Sequence, residues 1–471
     1  MQNNSTLFTT KMSGDWQFER VIAKLFIFFF PFKMFSPLQF LSGWTFGLAD
    51  VASFLFCAIG LVCIICRGRI SFRMDQGTKV LKRFAIMYVV CDIASIIMAV
   101  FLHEEAGIIA GEGTYDATFK KILFTFAYIL FVFYGSEVWR LLSKKEIDRV
   151  IGLGIDVSIA VGLLQILVLL GFDPAMQIYE IVNSFFNAWS SSLILQTKRI
   201  ALLTNEPAYS ASYLAAFAMP YLLSCCLYFG VKRRFLIRII LCVVVMYFTK
   251  STTGYVLLSL DILMFLLLYL KKSRQSIGTR ILVFVLISFL LFAIVMLIVA
   301  NANVSNTISG VFDKLFNENN VTSSDRKATA SVNLSIFTHY PILGVGNGNQ
   351  GFFYQRFMPQ WAVNMYNAKN TFKKAGTILY DGGPFWMAHL SGYGFVGIIM
   401  LCMFIIPSIK SLKKFKNKCE NLYEFYILSI VAIFVNGIAA TMGSTYFMWF
   451  MFSLPVTISS IEYDEVKKIQ K

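Results

Sequence analysis

The chain alternates between long apolar stretches and shorter polar connections. Windows of about 20 mostly apolar residues, the length that crosses a bilayer as a helix, recur along it. Twelve windows are predicted to be membrane-spanning helices, at 21–41, 46–66, 84–102, 121–141, 150–171, 209–230, 234–249, 253–270, 281–300, 386–408, 422–441 and 444–460. No short apolar core ending in a small-residue cleavage site precedes them, so no cleaved signal peptide is expected. The pattern predicts an all-α integral membrane protein in which residues 1–471 form a single polytopic domain.

Composition agrees with this prediction and restricts the possible functions. Hydrophobic residues make up 57% of the chain and charged residues only 14%, whereas soluble domains carry about 25% charged residues. Most Lys and Arg residues fall in short connections such as RGRISFR (67–73) and KSLKKFKNK (410–418), which this bias marks as cytoplasmic. Both termini are therefore predicted to be cytoplasmic. The net charge of +16 is attributed to anchoring against anionic membrane lipids, and no nucleic-acid partner is expected.

The predicted orientation leaves three substantial segments on the outer side, at 103–120, 172–208 and 301–385. The third is a large loop that is expected to contain short helices and to be functional, because loops of that length usually are. The nine cysteines lie in predicted spans or inner connections, so no disulfide framework is implied. HEEAG at 103–107 lacks the spacing of a zinc-binding HExxH helix. The sequence therefore predicts no metal site and no cofactor.

A glycine-rich stretch in the large loop, THYPILGVGNGNQG (338–351), interrupts the apolar pattern. It looks like the start of a dinucleotide fingerprint, but that fingerprint requires a βαβ unit, and nucleotide cofactors are scarce outside the inner membrane. Gly344, Gly346 and Gly348 allow a positive φ and a close approach of a partner, and Asn347 tolerates the same backbone region. These four residues are predicted either to bind substrate or to form a tight turn that returns the loop to the membrane.

Four short motifs together resemble a known family. FTHYPILGVGNGNQG is similar to a signature of the bacterial O-antigen polymerase (Wzy) and O-antigen ligase superfamily. The other three follow the order found in that superfamily: RIALLTNEPAYSASYLAAF (199–217), KSTTGYVLLSLDIL (250–263) and LSGYGFVGIIM (390–400). Each motif is short, and their order and loop positions give the resemblance its specificity over about 199–400.

The resemblance implies a metal-independent membrane glycosyltransferase with a fold like that of the type C glycosyltransferases. Such enzymes act on the periplasmic face of the bacterial inner membrane. They join sugars that are carried on undecaprenyl pyrophosphate, so the implied partners are a lipid-linked glycan donor and acceptor, membrane lipids and a chain-length regulator protein. A polymerase is expected to extend the glycan by one repeat unit at a time.

Transfer from a lipid pyrophosphate needs cations where charge develops on the leaving group. Arg199 and Arg326 match positions where the family carries outer-loop arginines, and the planar guanidinium binds phosphate through two parallel hydrogen bonds. Lys250 and Arg356 are further candidate cations for substrate binding. Glu206 precedes Pro207 and is predicted to begin the sixth helix, to orient Arg199 or to bind a sugar hydroxyl.

The proton acceptor is predicted from a smaller set of residues. Asp381 in LYDGGPFW is the first candidate and His339 the second, and a surface turn and a helix-end cap are their structural alternatives. The ligases carry a His eleven residues before the first Gly of their G-x-x-G, and the corresponding residue here is Gly383, counted from Gly394. This difference favours an O-antigen polymerase.

Three alternatives stay open. The first is an O-antigen ligase that transfers glycan to lipid A-core. The second is a transporter such as a lipid-linked oligosaccharide flippase, which the lack of a repeat between the two halves disfavours. The third is a structural membrane scaffold, which explains neither the arginines nor the glycine-rich stretch.

Overall fold

The computed structural model describes residues 17–32, 52–66, 76–109, 111–186, 188–204, 206–272, 321–363, 384–415, 420–439, 447–455 and 457. These residues are helical apart from their connections, and no strand occurs among them. The helices are α1 (Gln17–Phe28), α2 (Ala52–Cys66), α3 (Gln76–Phe101), α4 (His103–Ala106), α5 (Thr114–Leu141), α6 (Lys144–Leu169), α7 (Asp173–Phe186), α8 (Ser191–Thr197), α9 (Pro207–Tyr213), α10 (Met219–Phe229), α11 (Arg233–Thr249), α12 (Thr252–Lys272), α13 (Val321–His339), α14 (Gln350–Phe357), α15 (Gln360–Val363), α16 (Phe385–Phe415), α17 (Glu420–Ala439) and α18 (447–455).

Seven stretches of the described helices are long and apolar enough to cross a membrane. They are Leu81–Phe101, Thr114–Leu141, Lys144–Leu169, Pro207–Phe229, Thr252–Lys271, Phe385–Met403 and Asn421–Ile438. Each coincides with one of the twelve predicted spans, so the described residues confirm the all-helical prediction and contain seven helices suited by length and composition to cross a membrane. Helix α11 occupies the predicted span 234–249 and has 17 residues. The predicted span 281–300 lies outside the described residues, and the count of twelve stays a prediction.

The longest predicted outer segments contain helices. Helices α7 and α8 lie within 172–208, and α13, α14 and α15 lie within the described part of 301–385. Helix α7 exposes Ile178, Ile181 and Phe185 and buries Tyr179, so it lies with one apolar face against the bundle and another outward. Amphipathic helices of this kind rest in the interface of a bilayer.

Two ends of the bundle differ in charge. At one end, Arg20 and Lys24 bind Glu146, and the Lys144 ammonium lies 5.0 Å from the centre of the Tyr228 ring. We call this the basic end. The opposite end, called the loop end, contains the connections 102–113, 170–206 and 249–252 together with the glycine-rich turn 340–349.

The helix from Pro207 to Phe229 forms the centre of the bundle. Residues Leu214–Ala218 form a π-helical turn between α9 and α10, and all five side chains are buried. Such turns insert an extra residue into the helical ladder and often lie beside functional sites. The turn packs against α12 and α17, which bracket it from two sides.

One acidic residue within the predicted spans has a partner that sequence reasoning did not foresee. Asp156 in α6 accepts two hydrogen bonds from Arg238 in α11, at 2.7 Å and 2.5 Å. A paired acid and base in neighbouring helices is less costly in a membrane than either charge alone. The bidentate pair therefore joins α6 to α11, the two helices that bracket the Arg199 segment described below.

Candidate functional site

The glycine-rich turn is inserted into a break in helix α16. Gly394 has φ +60°, which interrupts the helix after its first turns. On one side of the break, the Val345 and Gly346 amides donate to the carbonyls of Ser391 and Gly392, at 2.8 Å and 3.0 Å. On the other side, the amides of Phe395 and Val396 donate to the carbonyls of Pro341 and Ile342. The two glycine motifs of the sequence therefore satisfy each other's open backbone groups.

Glycine is required at this junction because two backbones meet there. Gly344 has φ +66°, and a Cβ added to it would lie 2.4 Å from the Ser391 carbonyl oxygen. A Cβ on Gly394 would lie 2.5 Å from the Ile342 carbonyl oxygen. Gly346 and Gly348 also have positive φ, and their added Cβ atoms would meet backbone of Ser95 and Ala117. The positive φ predicted for all three glycines of the stretch is thus observed.

Side chains fasten the turn to three helices. The Asn347 amide donates to the Ser95 hydroxyl in α3, and its side-chain Nδ2 donates to the Tyr393 hydroxyl in α16 at 2.7 Å. The Thr118 hydroxyl in α5 donates to Asn349 Oδ1. Every backbone N–H from Gly344 to Asn349 donates to an oxygen of the protein. The backbone amides of the turn are thus hydrogen-bonded within the protein, and an anion could bind to them only if these hydrogen bonds were broken.

A second irregular segment carries Arg199. Among the described residues, the non-glycine residues with positive φ are Lys198 (54°), Leu202 (50°) and Lys250 (49°). Two of them flank Arg199 in sequence, and the third ends α11, where it follows the carbonyl that Arg199 contacts. Backbone in this region is costly for residues with a side chain, and such strain collects at functional sites. The residues with positive φ therefore indicate a functional site around Arg199 independently of the sequence motif.

Arg199 is held against the carboxyl end of α11. Its Nε donates to the Thr249 carbonyl at 3.0 Å, and the next amide, that of Ile200, donates to the Phe248 carbonyl at 3.1 Å. Tyr255 of α12 is close enough to Arg199 to interact with it electrostatically. Lys250 follows Thr249 directly and is partly exposed, as Arg199 is. Two of the predicted cations, Arg199 and Lys250, are therefore brought together at the loop end.

Glu206 is the N-cap residue of α9, and Pro207 occupies the first helical position, as the sequence predicts. The Glu206 side chain is exposed and makes no hydrogen bond to the first-turn amides. Its backbone amide donates to the Thr204 hydroxyl, which is buried and in turn donates to the Ala201 carbonyl. The carboxylate thus stands at the start of the helix that follows the Arg199 segment.

His339 and Arg356 lie beside the glycine-rich turn. His339 ends α13 and is exposed, and its Nδ1 donates to the Ser335 carbonyl at 2.8 Å, so its other ring nitrogen faces away from that bond. Arg356 forms an ion pair with Glu105, and the Tyr340 hydroxyl donates to the same carboxylate at 3.1 Å. Burial raises the pKa of Tyr340, which keeps this hydroxyl protonated as a donor. The Arg356 charge is therefore balanced within the protein.

Arg326 belongs to α13, and its side chain lies outside the described part of the structure. Further along α13, Ser391 donates to Asn333 Oδ1, and the ring centres of Phe337 and Phe395 are 5.1 Å apart, so this helix packs against α16. Asp381 and Gly383 precede Pro384 and lie outside the described residues.

Sequence reasoning missed the residues that hold these segments. Gln165 in α6 is fully buried and makes three hydrogen bonds to the segment after Arg199 and a fourth to the Tyr179 hydroxyl in α7. The sequence signal for this residue, a single Gln side chain inside a predicted apolar span, was not used to predict the site. Ser95, Thr118 and Tyr393 had no local signal, because their partners in the turn are more than 40 residues away.

The described residues include no group of three or more His, Cys, Asp or Glu side chains that could hold a metal ion. Their candidate chemistry is that of cations and hydroxyls. Arg199, Lys250 and Glu206 belong to one region of the loop end, and His339, Arg356 and the glycine-rich turn belong to another. Helices α16 and α17 connect the regions, since Trp386 Nε1 donates to the Phe434 carbonyl and Ser212 of α9 donates to Asn436.

No curated protein matches the chain. Residues 237–372 match a family model described as O-antigen ligase. The matched segment is less than half of the chain; it begins in α11, includes α12, α13 and the glycine-rich turn, and ends before α16. The matched segment contains two of the four motifs, at 250–263 and 337–351, and the match confirms the resemblance to the O-antigen polymerase and ligase superfamily, whose members are glycosyltransferase-like enzymes.

Proposed function

We propose that this protein is an O-antigen polymerase that joins undecaprenyl-pyrophosphate-linked oligosaccharide repeat units on the periplasmic face of the inner membrane. The observation that carries the proposal is the arrangement around Arg199. There, a guanidinium is fixed by its Nε against the end of α11, beside Lys250, in a backbone that contains three strained residues. Preorganised cations of this kind stabilise charge that develops on a leaving group.

The proposed reaction breaks the bond between the anomeric carbon of the donor glycan and its pyrophosphate. A hydroxyl of the acceptor unit forms the new glycosidic bond and loses its proton, and undecaprenyl pyrophosphate leaves. Arg199, Lys250 and Arg326 are proposed to bind the pyrophosphate as negative charge accumulates on it. Asp381 is proposed as the proton acceptor, with His339 as the second candidate, because each lies in or beside the loop that carries the glycine-rich turn.

The remaining predicted residues have proposed roles that differ in kind. Glu206 is proposed to bind a sugar hydroxyl at the start of α9, where its carboxylate is exposed. The glycine-rich turn, with Gly344, Gly346, Asn347 and Gly348, is proposed to hold α13 beside α16 and so to place Arg326, since its amides are already bonded within the protein. Arg356 is proposed to contact substrate only after its pair with Glu105 opens.

A ligase is the second candidate, because the matching family model is described as O-antigen ligase. The two activities differ in the acceptor. A polymerase extends one lipid-linked unit with another, whereas a ligase transfers glycan to lipid A-core. Gly383, at the position where the ligases carry His, supports the polymerase.

The test uses the full-length protein in lipid nanodiscs, supplied with lipid-linked repeat unit extracted from the source bacterium after deletion of this gene. The wild type is expected to produce a ladder of lipid-linked polymer and to release undecaprenyl pyrophosphate. Arg199→Ala is expected to slow the reaction by about 100-fold to 1,000-fold, the usual loss when one stabilising donor is removed. Arg140→Ala is the matched control, because Arg140 lies at the basic end and pairs with Glu137.

Each outcome separates the candidates. A ladder that requires Arg199 and not Arg140 supports the polymerase. Transfer of the glycan to added lipid A-core, with no ladder from repeat units alone, would identify a ligase. Equal activity in both variants would refute the role of Arg199, and release of no pyrophosphate by the wild type would refute a glycosyltransferase.

A further inference from the structure

Gln165 lies near the loop end of α6 and is fully buried. Its Oε1 accepts the Ala201 and Leu202 amides at 3.1 Å and 2.8 Å. Its Nε2 donates to the Leu202 carbonyl and to the Tyr179 hydroxyl, each at 2.8 Å. A Gln side chain has two acceptor positions and two donors, so all four are used here.

The network also fixes which way the amide faces. Two backbone N–H groups require the oxygen, and a backbone carbonyl requires the nitrogen, so the opposite orientation would leave unfavourable contacts. Burial raises the pKa of the Tyr179 phenol, so this hydroxyl stays protonated and donates to the Trp189 carbonyl at 2.5 Å. Gln165 therefore ties α6 to α7, and to the segment after Arg199, in one defined geometry.

The segment that Gln165 holds would not keep its conformation unaided. Leu202 has φ 50°, and the left-handed region is unfavourable for a bulky residue. The amides of Ala201 and Leu202 lie outside any helix, and both residues are buried away from water. A buried amide without a hydrogen-bond partner is also unfavourable. Gln165 removes that cost for two amides at once and thereby makes the strained conformation stable.

A second anchor holds Arg199 from the side of α11. The Phe248 and Thr249 carbonyls accept the Ile200 amide and the Arg199 Nε. Gln165 holds residues 201 and 202, the second and third residues after Arg199. The two anchors come from different helices and hold consecutive residues. A shift of either would move the guanidinium.

We propose that Gln165 is a positioning residue that sets the location of the Arg199 guanidinium in the reaction. In this role Gln165 contacts neither the donor nor the acceptor, and it acts on Arg199 through residues 201 and 202. The inference rests on the proposed role of Arg199 in pyrophosphate stabilisation. It accounts for a saturated amide in an otherwise apolar part of α6, and it makes α6 part of the site although α6 carries none of the residues predicted from the motifs.

The variants are Gln165→Met, Arg199→Ala and the double variant, all as full-length protein in nanodiscs. Methionine is close to glutamine in length and apolar, so it removes the hydrogen bonds with little change in volume. Gln165→Glu is the conservative variant, because its carboxylate can still accept both amides. Ser158→Ala is the matched control in the same helix, since Ser158 is buried and its partners, the Gly154 carbonyl one turn earlier and the Tyr213 side chain, lie outside residues 199–202. Thermal unfolding, followed by tryptophan fluorescence, confirms that each variant is folded.

The expected result is non-additivity. Gln165→Met should lower kcat by about 10-fold to 100-fold with donor KM changed less than about threefold, because the displaced cation acts on the transition state. In the Arg199→Ala background the same substitution should have no further effect, since the group it positions is gone. Gln165→Glu should recover part of the activity, and Ser158→Ala should leave kcat near that of the wild type.

Two other results would overturn the inference in distinguishable ways. If the losses from Gln165→Met and Arg199→Ala multiply in the double variant, Gln165 supports the fold alone, and the proposed function stands without it. If Arg199→Ala retains wild-type activity, the proposed role of Arg199 fails, and the role of Gln165 fails with it.

Discussion

The junction between the two glycine motifs gives a matched pair of substitutions. Gly344 and Gly171 both have a positive φ, +66° and +77°. They differ in surroundings, because a Cβ at Gly344 would lie 2.4 Å from the Ser391 carbonyl oxygen, whereas nothing lies within 4 Å of one at Gly171. Replacing each glycine by alanine therefore separates the cost of the conformation from the cost of the close approach.

The magnitudes follow from the local bonds. Gly171→Ala should cost about 1 kcal/mol of folding stability, since only the left-handed conformation at the end of α6 is penalised. Gly344→Ala has the same penalty, and the turn must also retreat by about 1 Å. That movement breaks the bonds from Val345 to Ser391 and from Gly346 to Gly392, which are 2.8 Å and 3.0 Å long. At about 1 kcal/mol for each bond, the total reaches about 3 kcal/mol.

Reversible unfolding in detergent, monitored by tryptophan fluorescence, measures both variants under one condition. The expected difference between them is about 2 kcal/mol, the contribution of the two bonds. Equal losses in the two variants would show that the turn is not inserted into the α16 break in the way described. A loss at Gly171 as large as that expected at Gly344 would instead show that the left-handed conformation dominates the cost at both positions.

Three further predictions follow from the same structure. Lys250→Gly should keep or raise folding stability, because glycine is favoured at a left-handed helix end, and it should lower activity by about 10-fold to 100-fold because a charged hydrogen bond is lost. Lys198→Gly, at the other left-handed helix end, is the control that measures the backbone effect alone. Equal activity of the two variants would show that Lys250 is not part of the site. Asp156→Leu should lower the folding stability by about 1–3 kcal/mol because it leaves Arg238 unpaired. Adding Arg238→Leu should recover most of that stability, as measured by thermal unfolding. A double variant that is no more stable than Asp156→Leu would contradict the pairing. Thr118→Val should cost about 1 kcal/mol by removing the hydroxyl that donates to Asn349. Thr197→Val, whose hydroxyl donates to the Leu193 carbonyl within its own helix, is the comparison in the same unfolding measurement.

The local sequence pattern predicted the helical elements and the turn chemistry. Seven predicted spans coincide with helices long enough to cross a bilayer, because each depends only on a continuous apolar stretch. The beginning of a helix at Pro207 and the positive φ of Gly344, Gly346 and Gly348 were also predictable, since Pro and Gly have preferences that do not depend on distant contacts.

The partners of those residues were not predictable in the same way. The glycine-rich stretch meets Gly392 and Gly394, about 50 residues further along, and nothing in either motif specifies the other as its partner. Gln165 illustrates the same limit. A Gln side chain in an apolar span indicates a buried hydrogen bond, but the sequence does not identify residues 201 and 202 as its partners. The positive φ of Leu202 and Lys250 could not be predicted from the sequence either, because neither residue type favours that backbone conformation.

The two irregular segments of the candidate site follow one physical requirement. Backbone that leaves the helical pattern inside a membrane protein has no water to bond with, so it persists only where the protein itself supplies partners. At 344–349 the partners are the broken ends of α16 together with Ser95 and Gln350. At 199–202 they are Gln165 and the last carbonyls of α11. Each irregular segment carries or adjoins a proposed cation, and each is held by residues far away in sequence. Precise placement of Arg199 and of α13 therefore depends on spanning helices that contribute no catalytic group, which is why substitutions in α6 and α16 are expected to alter the reaction.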